Sequence, residues 1–223
     1  MYNHPKQLIA VDCIIFGFEN DELKLLVFER WIEPHKGKLS LLGGLVNPDE
    51  SVTNAAKRVL NQISGLDDIY MEMVDVFSEV NRDSGGRVIS VAYYALLEIN
   101  EQNKQLIEKN SAKWISLLKH PKLILDHNEM LEKAIEKLRI KASYDLIGEH
   151  LLPRKFTLLQ LRKLYNAIFN KEFDPGNFRK KVLSLNALQQ LPEKDTNESK
   201  RGAFYYRFRK RKTNSTLQQI FKI

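Results

Sequence analysis

The pattern of apolar and polar residues over the first 140 positions predicts several short strands. Residues 9–18 are apolar and rich in branched side chains, which is typical of a buried strand. Asn20-Asp21 is typical of a turn, so residues 23–28 are expected to return as a second strand. The remaining predicted strands cover residues 39–45, 69–80, 87–97 and, at a sheet edge, 112–116.

Two segments of the same region have helical periodicity. Apolar residues recur every three or four positions over 52–64, after a start signal at Pro48 to Ser51 and before a stop at Gly65. Residues 128–141 show a similar apolar stripe. A mixed sheet with two main helices is an α+β arrangement, and we assign it to a first domain, residues 1–141.

The remaining residues, 142–223, predict a second domain of different character. Three helices are expected, over 144–151, from Thr157 to about 169, and from Asp174-Pro175 to about 185. Two strands, 188–192 and 203–208, then flank a polar stretch like a hairpin. This order of elements is typical of a winged helix-turn-helix.

The distribution of charge supports the same division. The chain has 35 Lys and Arg against 28 Asp and Glu, a net charge of +7. Residues 1–140 carry 17 basic and 21 acidic side chains, a balance of −4, whereas residues 141–223 carry 18 and 7, a balance of +11. A strongly basic second domain indicates a partner that is a polyanion.

Other features of the composition narrow the class of protein. No apolar run approaches the ~20 residues that span a bilayer, so we expect no membrane partner. Cys13 is the only cysteine, which excludes an internal disulfide, and it is expected to be a buried apolar residue. The first residues lack a secretory cleavage pattern, and we expect a reducing, cytoplasmic location.

Six residues share the spacing G-x5-E-x7-R-x-U-x4-G-U, where U is a bulky apolar residue. They are Gly44, Glu50, Arg58, Leu60, Gly65 and Leu66. This spacing, in a predicted strand–loop–helix context, resembles the signature of the Nudix family. The resemblance implies a Nudix-like mixed sheet with flanking helices.

Three carboxylates of that signature are absent, because Val59, Gln62 and Ile63 occupy their positions. In active family members these glutamates lie on one helix face and hold Mg²⁺ or Mn²⁺ against a diphosphate. Hard divalent cations need oxygen ligands, so we predict no metal, no cofactor and no catalysis here. Glu50 and Arg58 are expected to brace the loop and the helix. A rival is an active hydrolase of ADP-ribose or a related nucleoside diphosphate sugar, with metal held by Asp49, Asp67 or Asp68.

Further stretches resemble one subgroup, the Nudix-related transcriptional regulators. They are residues 87–96, Asp126-His127, 151–165 and 177–181. The resemblance implies a homodimeric repressor that binds palindromic double-stranded operator DNA and responds to a small molecule. Within the subgroup the chain looks most like the arabinose-responsive repressors. RNA binding is a less favoured alternative, since no stacking sheet is predicted.

The DNA contacts are expected from the third helix, the start of the second and the hairpin. Phe178, Val182 and Leu185 should face the core, which leaves the polar residues outward, where Asn, Arg and Lys can read base edges. The predicted contacts are Arg154, Lys155, Asn177, Arg179, Lys180, Lys181, Ser184, Lys200, Arg201 and Arg207, with residues 210–212 adding phosphate contacts.

Polar and aromatic residues near the predicted cleft are the candidates for effector binding. They are Asp12, Glu29, Arg30, Trp31, Glu33, Lys38, Tyr93, Asp126 and His127, with Ser40 and Arg82 as further candidates. Without metal glutamates an uncharged sugar is favoured over ADP-ribose or another NAD metabolite, since a diphosphate would want metal or an arginine cluster. That this sugar is L-arabinose or a similar pentose is implied only by the resemblance to the arabinose-responsive repressors.

Overall fold

The computed structural model describes residues 6–30, 33–65, 69–196, 202–209 and 219–221. The chain divides into two compact units. The first comprises Met1–Gly17 and Lys24–Ile135, and the second comprises Phe18–Leu23 and Glu136–Ile223. The predicted division at residue 141 stays a prediction, and each unit is described by itself below.

The sheet of the first unit has seven strands. They are β1 (Leu8–Glu19), β2 (Glu22–Glu29), β3 (Leu39–Ser40), β4 (Leu42–Leu45), β5 (Tyr70–Phe77), β6 (Val88–Leu96) and β7 (Ala112–Ser116). The main order is β3-β2-β1-β6-β5, while β4 pairs with β1 and β7 pairs with β2. β1 and β6 run parallel at the centre, where both strands are almost continuously buried. Central parallel strands covered on both faces require such apolar runs.

Helices flank this sheet. They are α1 (Val52–Ser64), α2 (Glu101–Lys109) and α3 (His127–Tyr144). Ser51 caps the start of α1 by accepting a hydrogen bond from the backbone of Asn54, and Gly65 ends the helix at a positive φ of 69°. Ala55, Ala56, Val59 and Leu60 of α1 pack with buried residues of the central strands.

The second unit contains a three-stranded sheet and helices. Its elements are a 3₁₀ turn (Ile147–His150), β8 (Phe156–Thr157), α4 (Leu158–Phe169), α5 (Pro175–Ser184), β9 (Leu188–Asp195) and β10 (Ala203–Phe208). The strand order is β8-β10-β9, and all pairs are antiparallel. Thr157 and Gln160 form a reciprocal capping box at the start of α4, and Asp174 caps α5 ahead of Pro175.

The predicted mixed sheet followed by a winged helix is confirmed, although several elements differ in detail. α2 was not predicted, because its nine residues contain only two apolar side chains, Leu106 and Ile107. The helix predicted over 144–151 is wrong, since α3 continues to Tyr144 and only Ile147–His150 forms a 3₁₀ turn. β9 is longer than predicted and extends to Asp195. Within the described ranges, no helix combines the length and apolar character that a bilayer crossing requires.

Candidate functional site

Asp12 is a carboxylate in the middle of an apolar strand. It lies in β1, opposite Gly43 of β4 and beside Ala92 of β6, and only 8% of the residue is exposed. Its Oδ2 accepts a hydrogen bond from the hydroxyl of Ser90 at 2.5 Å. Burying a charge is costly unless it is paired, so the buried carboxylate of Asp12 requires charged or hydrogen-bonding partners around it.

Arg82 supplies the positive charge. Its Nε and Nη2 donate to the two carboxylate oxygens of Asp126 at 2.7 and 2.8 Å, and Nη2 lies 3.6 Å from Asp12 Oδ2. Burial disfavours the charged guanidinium, but the hydrogen bonds and charge of Asp126, together with the charges of Asp12 and Asp83, outweigh burial and raise the pKa of Arg82. One cation therefore lies between two carboxylates.

His127 completes this group, which we call the Asp12 network: Asp12, Ser90, Arg82, Asp126 and His127. The backbone N–H of Leu41 donates to His127 Nδ1 at 3.1 Å, so the proton of the neutral ring is assigned to Nε2, which lies 3.6 Å from Asp12 Oδ1. Burial lowers the pKa of His127 although both carboxylates act to raise it. The imidazole is therefore neutral near pH 7.

Two loops flank the start of β1 next to this network. The backbone N–H of Val46 donates to Ile9 O at 2.9 Å, which holds the loop before α1. Leu8 N–H donates to Arg87 O at 3.3 Å, which holds the loop between β5 and β6. Both loops therefore frame the same end of the central strands.

A cleft of about 400 Å³ opens at this network. Arg82 and Asp126 form part of its wall, together with Lys133 and Glu129 of α3. The other lining residues are Val76, Phe77, Ser78, Glu79, Val80 and Asn81. The wall therefore carries three acidic side chains, of Glu79, Asp126 and Glu129, and two cations that are each paired with a carboxylate.

Of the candidates after β2, Glu29 and Arg30 line a second cleft of about 480 Å³ with Lys36, Gly37 and Ser111. The positive charge of Arg30 also acts on His127 of the Asp12 network and contributes to lowering its pKa. Arg30 and Lys38 are joined by a backbone hydrogen bond of 3.0 Å, while the side chains of Lys38 and Glu33 are exposed. Trp31 lies outside the described residues.

Tyr93 is separated from the Asp12 network by the sheet. It pairs with Cys13 rather than with Asp12, so it faces the side that α1 covers. Its hydroxyl is 3.1 Å from Thr53 Oγ1 of α1. The structure thus brings together Asp12, Arg82, Asp126 and His127 of the predicted effector residues, with Ser40 Oγ 3.5 Å from His127 Nδ1, while Tyr93 packs elsewhere. Ser90 was not predicted, although a small hydroxyl in an apolar strand is the signal that could have indicated it.

The three positions that lack signature carboxylates differ in exposure. Val59 is buried, and its Cγ2 would lie 3.2 Å from a Cβ placed on Gly44. Ile63 is half-buried, and Gln62 is exposed. Among the residues that the structure describes, no three His, Cys, Asp or Glu side chains are grouped to hold a metal ion.

Glu50 and Arg58 form the expected brace. Arg58 donates to both carboxylate oxygens of Glu50, at 3.1 and 2.5 Å, and to Leu45 O at 2.9 Å. Glu50 also accepts from the backbone of Asn47 at 2.8 Å. The hydrogen bonds from Arg58 lower the pKa of Glu50.

In the second unit, α5 presents opposite faces of different chemistry. Phe178 and Val182 are buried, and Leu185 just beyond the helix is half-buried. The predicted DNA contacts on this helix are all exposed: Asn177, Arg179, Lys180, Lys181 and Ser184. The sequence pattern therefore predicted correctly which side chains of α5 are buried and which are exposed.

The remaining predicted contacts surround the hairpin. Arg154 is exposed. Lys155 pairs with Glu193 at 2.5 Å, lies 5.3 Å from the centre of the Tyr205 ring, and has its pKa raised by the Glu193 hydrogen bond. Arg207 is exposed and donates to Gln189 Oε1 at 3.0 Å. Lys200, Arg201 and residues 210–212 lie outside the described residues.

Comparison with known families supports both domains. The NUDIX domain model matches residues 6–137, and the model of the NrtR DNA-binding winged helix domain matches residues 148–208. The chain is 29% identical over 210 residues to the ADPR responsive transcriptional repressor NtrR of Acinetobacter baylyi, an alignment that spans 92% of this chain and 84% of the relative. It is 33% identical over 132 residues to the ADP-ribose pyrophosphatase of Methanocaldococcus jannaschii, spanning 59% of this chain and 74% of the relative.

Solved structures resemble the chain in the same way. Shewanella oneidensis NrtR complexed with a 27mer DNA superposes with a TM-score of 0.81 at 28% identity, covering 90% of this chain and 93% of that chain. The NUDIX domain of that NrtR complexed with ADP ribose gives a TM-score of 0.52 at 28% identity, covering 60% of this chain and 90% of that chain. The chain belongs to the Nudix family and joins its Nudix domain to a winged helix domain of the NrtR type.

Proposed function

We propose that this chain is a transcriptional repressor that binds operator DNA through its winged helix and binds ADP-ribose, without cleaving it, in its Nudix domain. The observation that carries the proposal is the two-domain order itself. It is shared over 92% of the chain with a relative described as an ADPR responsive transcriptional repressor. The working location that we expect is the cytoplasm.

The exposed face of α5 is suited to the major groove. It carries the amide of Asn177 and the cations of Arg179, Lys180 and Lys181. All four residues are exposed, whereas the opposite face of the helix is buried. Asn can pair with adenine through two hydrogen bonds, and Arg or Lys can pair with guanine. The +11 balance of residues 141–223 supplies the nonspecific attraction to phosphate that precedes such readout.

The favoured effector differs from the pentose expected from the sequence. An arabinose-like effector finds no support in the relatives above, whereas ADP-ribose is the molecule named for three of them. The sequence favours an uncharged sugar because a diphosphate is expected to need metal or an arginine cluster. The cleft beside Asp126 contains two cations, Arg82 and Lys133, and each is already paired with a carboxylate, so a diphosphate would bind there by competing with those pairs.

Binding without hydrolysis follows from the residues of α1. Val59 and Ile63 offer no oxygen ligand, and the Gln62 amide is uncharged, so these positions supply no anionic charge for Mg²⁺. Without the metal, water is not activated and the leaving phosphate is not neutralised. The brace of Glu50 and Arg58 can keep the loop in place independently of catalysis.

We also propose a homodimer, because a two-fold protein reads the two halves of a palindromic operator. ADP-ribose would release DNA if it binds more tightly to a dimer geometry that no longer fits both half-sites. Analytical ultracentrifugation of the full chain, alone and with duplex DNA, tests the stoichiometry.

The second candidate is a metal-dependent ADP-ribose hydrolase. The 33% identity to an ADP-ribose pyrophosphatase over the Nudix domain is the observation that favours it. This enzyme would need carboxylates other than the three that are missing from the signature. Of the proposed metal ligands Asp49, Asp67 and Asp68, only Asp49 lies among the described residues.

Two assays on the full chain separate the candidates. Isothermal titration with ADP-ribose and with L-arabinose should give saturable heat for ADP-ribose alone. Incubation of ADP-ribose with Mg²⁺ and a coupled phosphatase should release no phosphate above a protein-free control. Multiple-turnover phosphate release would make the chain a hydrolase, and saturable binding of arabinose alone would restore the pentose.

A further inference from the structure

Phe221, near the end of the chain, is buried in the second unit. Only 7% of the residue is exposed. Its ring centre lies 5.0 Å from that of Tyr165, 5.2 Å from Phe173, 5.4 Å from Phe178 and 6.4 Å from Phe169. We call these five residues the aromatic cluster. Phe221 contacts every other member, so it lies at the centre of the cluster.

The backbone next to Phe221 is also fixed. The N–H groups of Ile220 and Phe221 both donate to the carbonyl of Ser143, at 2.6 and 3.1 Å. Ser143 lies in the last turn of α3, where helix carbonyls have no partner within the helix. The tail therefore satisfies a backbone acceptor that would otherwise be buried without one, since Ser143 is fully buried.

The aromatic cluster connects this anchor to the helix that is expected to read DNA. Phe178 lies on the buried face of α5, and its ring stacks on that of Phe221 with an interplanar angle of 9°. Asn177 and Arg179, its immediate neighbours, are exposed. A change at Phe221 therefore acts directly on the support beneath these side chains.

We propose that Phe221 is a positioning residue for DNA recognition, because it fixes α5 through Phe178. The segment around Phe221 then contributes to the function of the winged helix. Residue 221 lies beyond residues 148–208, the part that matches the winged helix model. The inference rests on the proposed function, because it assumes that α5 reads base edges.

Readout of base edges depends on geometry, whereas attraction to phosphate depends mainly on charge. Phe221 carries no charge, so replacing it leaves every Lys and Arg in the chain. Loss of positioning should therefore reduce affinity for a selected sequence more than affinity for random DNA. A residue that only stabilises the fold would instead lower the melting temperature and leave both affinities unchanged in the folded protein.

The experiment compares the full-length wild type with Phe221→Ala and Phe221→Leu. The DNA probe is a duplex enriched from a random library by the wild-type protein, and a scrambled duplex of equal length measures nonspecific binding. Phe221→Leu guards against unfolding, because it retains most of the apolar volume. Ile140→Ala, at a 45% exposed position of α3, is the matched control. Thermal melts establish a temperature at which every variant is folded.

At that temperature Phe221→Ala should lose about tenfold or more in affinity for the selected duplex, the scale of one base contact. Phe221→Leu should lose less, and nonspecific binding and ADP-ribose binding should stay unchanged in both. An unchanged ratio of selected to scrambled affinity in folded Phe221→Ala would overturn the inference. If the wild type enriches no sequence at all, the proposed function fails instead.

Discussion

Asp12 of β1 lies directly opposite Gly43 of β4, and a Cβ on Gly43 would lie 2.5 Å from the Asp12 Oδ1. The same Cβ would lie 2.8 Å from the backbone oxygen of Val11, which cannot move independently of the strand. The absence of a side chain at residue 43 therefore leaves the space that the Asp12 carboxylate occupies.

Gly43→Ala is expected to displace Asp12 and to lower the free energy of unfolding by about 1–3 kcal/mol, the usual cost of overpacking. Gly44→Ala is the matched control, since its Cβ would meet only the Val59 methyl at 3.2 Å and Arg58 at 3.9 Å. Urea denaturation measures both. Equal effects in the two variants would show that the Asp12 contact is not the cause.

Asp126→Asn should strongly destabilise the Nudix domain. It leaves the Arg82 cation, only 3% exposed, with Asp12 at 3.6 Å as its remaining carboxylate. Breaking a buried pair costs about 3–5 kcal/mol, and we expect the lower end because Asp126 is 17% exposed. The control is Asp75→Asn, which breaks the exposed pair with Lys133 and should hardly change the melting temperature.

The stability of the chain should depend on pH through His127. Its pKa is lowered by burial, so between that value and the ordinary pKa near 6.5 the unfolded chain binds more protons than the folded chain. The stabilisation that comes from the neutral His127 side chain is complete above the pKa that this histidine has in the unfolded chain. It is lost as the pH falls towards the lower pKa of His127 in the folded chain. Melting temperatures of the wild type should therefore fall more between pH 7.5 and 5.5 than those of His127→Asn.

Asn is chosen because its Oδ1 can replace Nδ1 as the acceptor for Leu41 N–H. A pH dependence that is the same in His127→Asn and the wild type would contradict the account.

The amide of Asn177 and the cation of Lys180, both on α5, should affect DNA binding in different ways. Asn177→Ala is expected to reduce affinity for the selected duplex by about tenfold and to leave nonspecific binding unchanged. Lys180→Ala should weaken both and lower the slope of log K against log salt by about one. Lys163→Ala is the charge control, since Lys163 is paired with Asp21 at 2.8 Å. A selected-to-nonspecific ratio that Asn177→Ala does not change would argue against base readout by this helix.

Local signals were sufficient for much of the fold. Thr157 with Gln160 and Asp174 with Pro175 mark the starts of α4 and α5, because capping chemistry depends only on near neighbours in the chain. The buried and exposed faces of α5 follow from helical spacing in the same way. Short-range rules therefore predicted the candidate DNA-binding surface.

The candidate effector site is formed by contacts between residues that are far apart in the chain, and the sequence pattern does not indicate which of them meet. Asp12, Arg82, Asp126 and His127 could be named as candidates, but their contacts with one another, and the contact of Asp12 with Ser90, join residues 44 to 115 positions apart. Tyr93 was placed with them because it is polar and aromatic. Its register opposite Cys13 puts it on the other face, and register is set by tertiary packing.

Phe221 illustrates the same limit in the second domain. Its partner Phe178 is 43 residues away, and no periodicity precedes it in the sequence. A lone aromatic residue near a chain end has no local signal that distinguishes a core residue from an exposed one.

The central claim is that ADP-ribose controls DNA binding, and a mobility-shift titration tests it most directly. The wild-type chain is held half-bound to its selected duplex at fixed salt, and ADP-ribose or L-arabinose is added. Our account predicts that ADP-ribose releases the duplex in a saturable manner while arabinose at the same concentrations does not. A duplex that stays half-bound at every concentration of ADP-ribose would contradict the account.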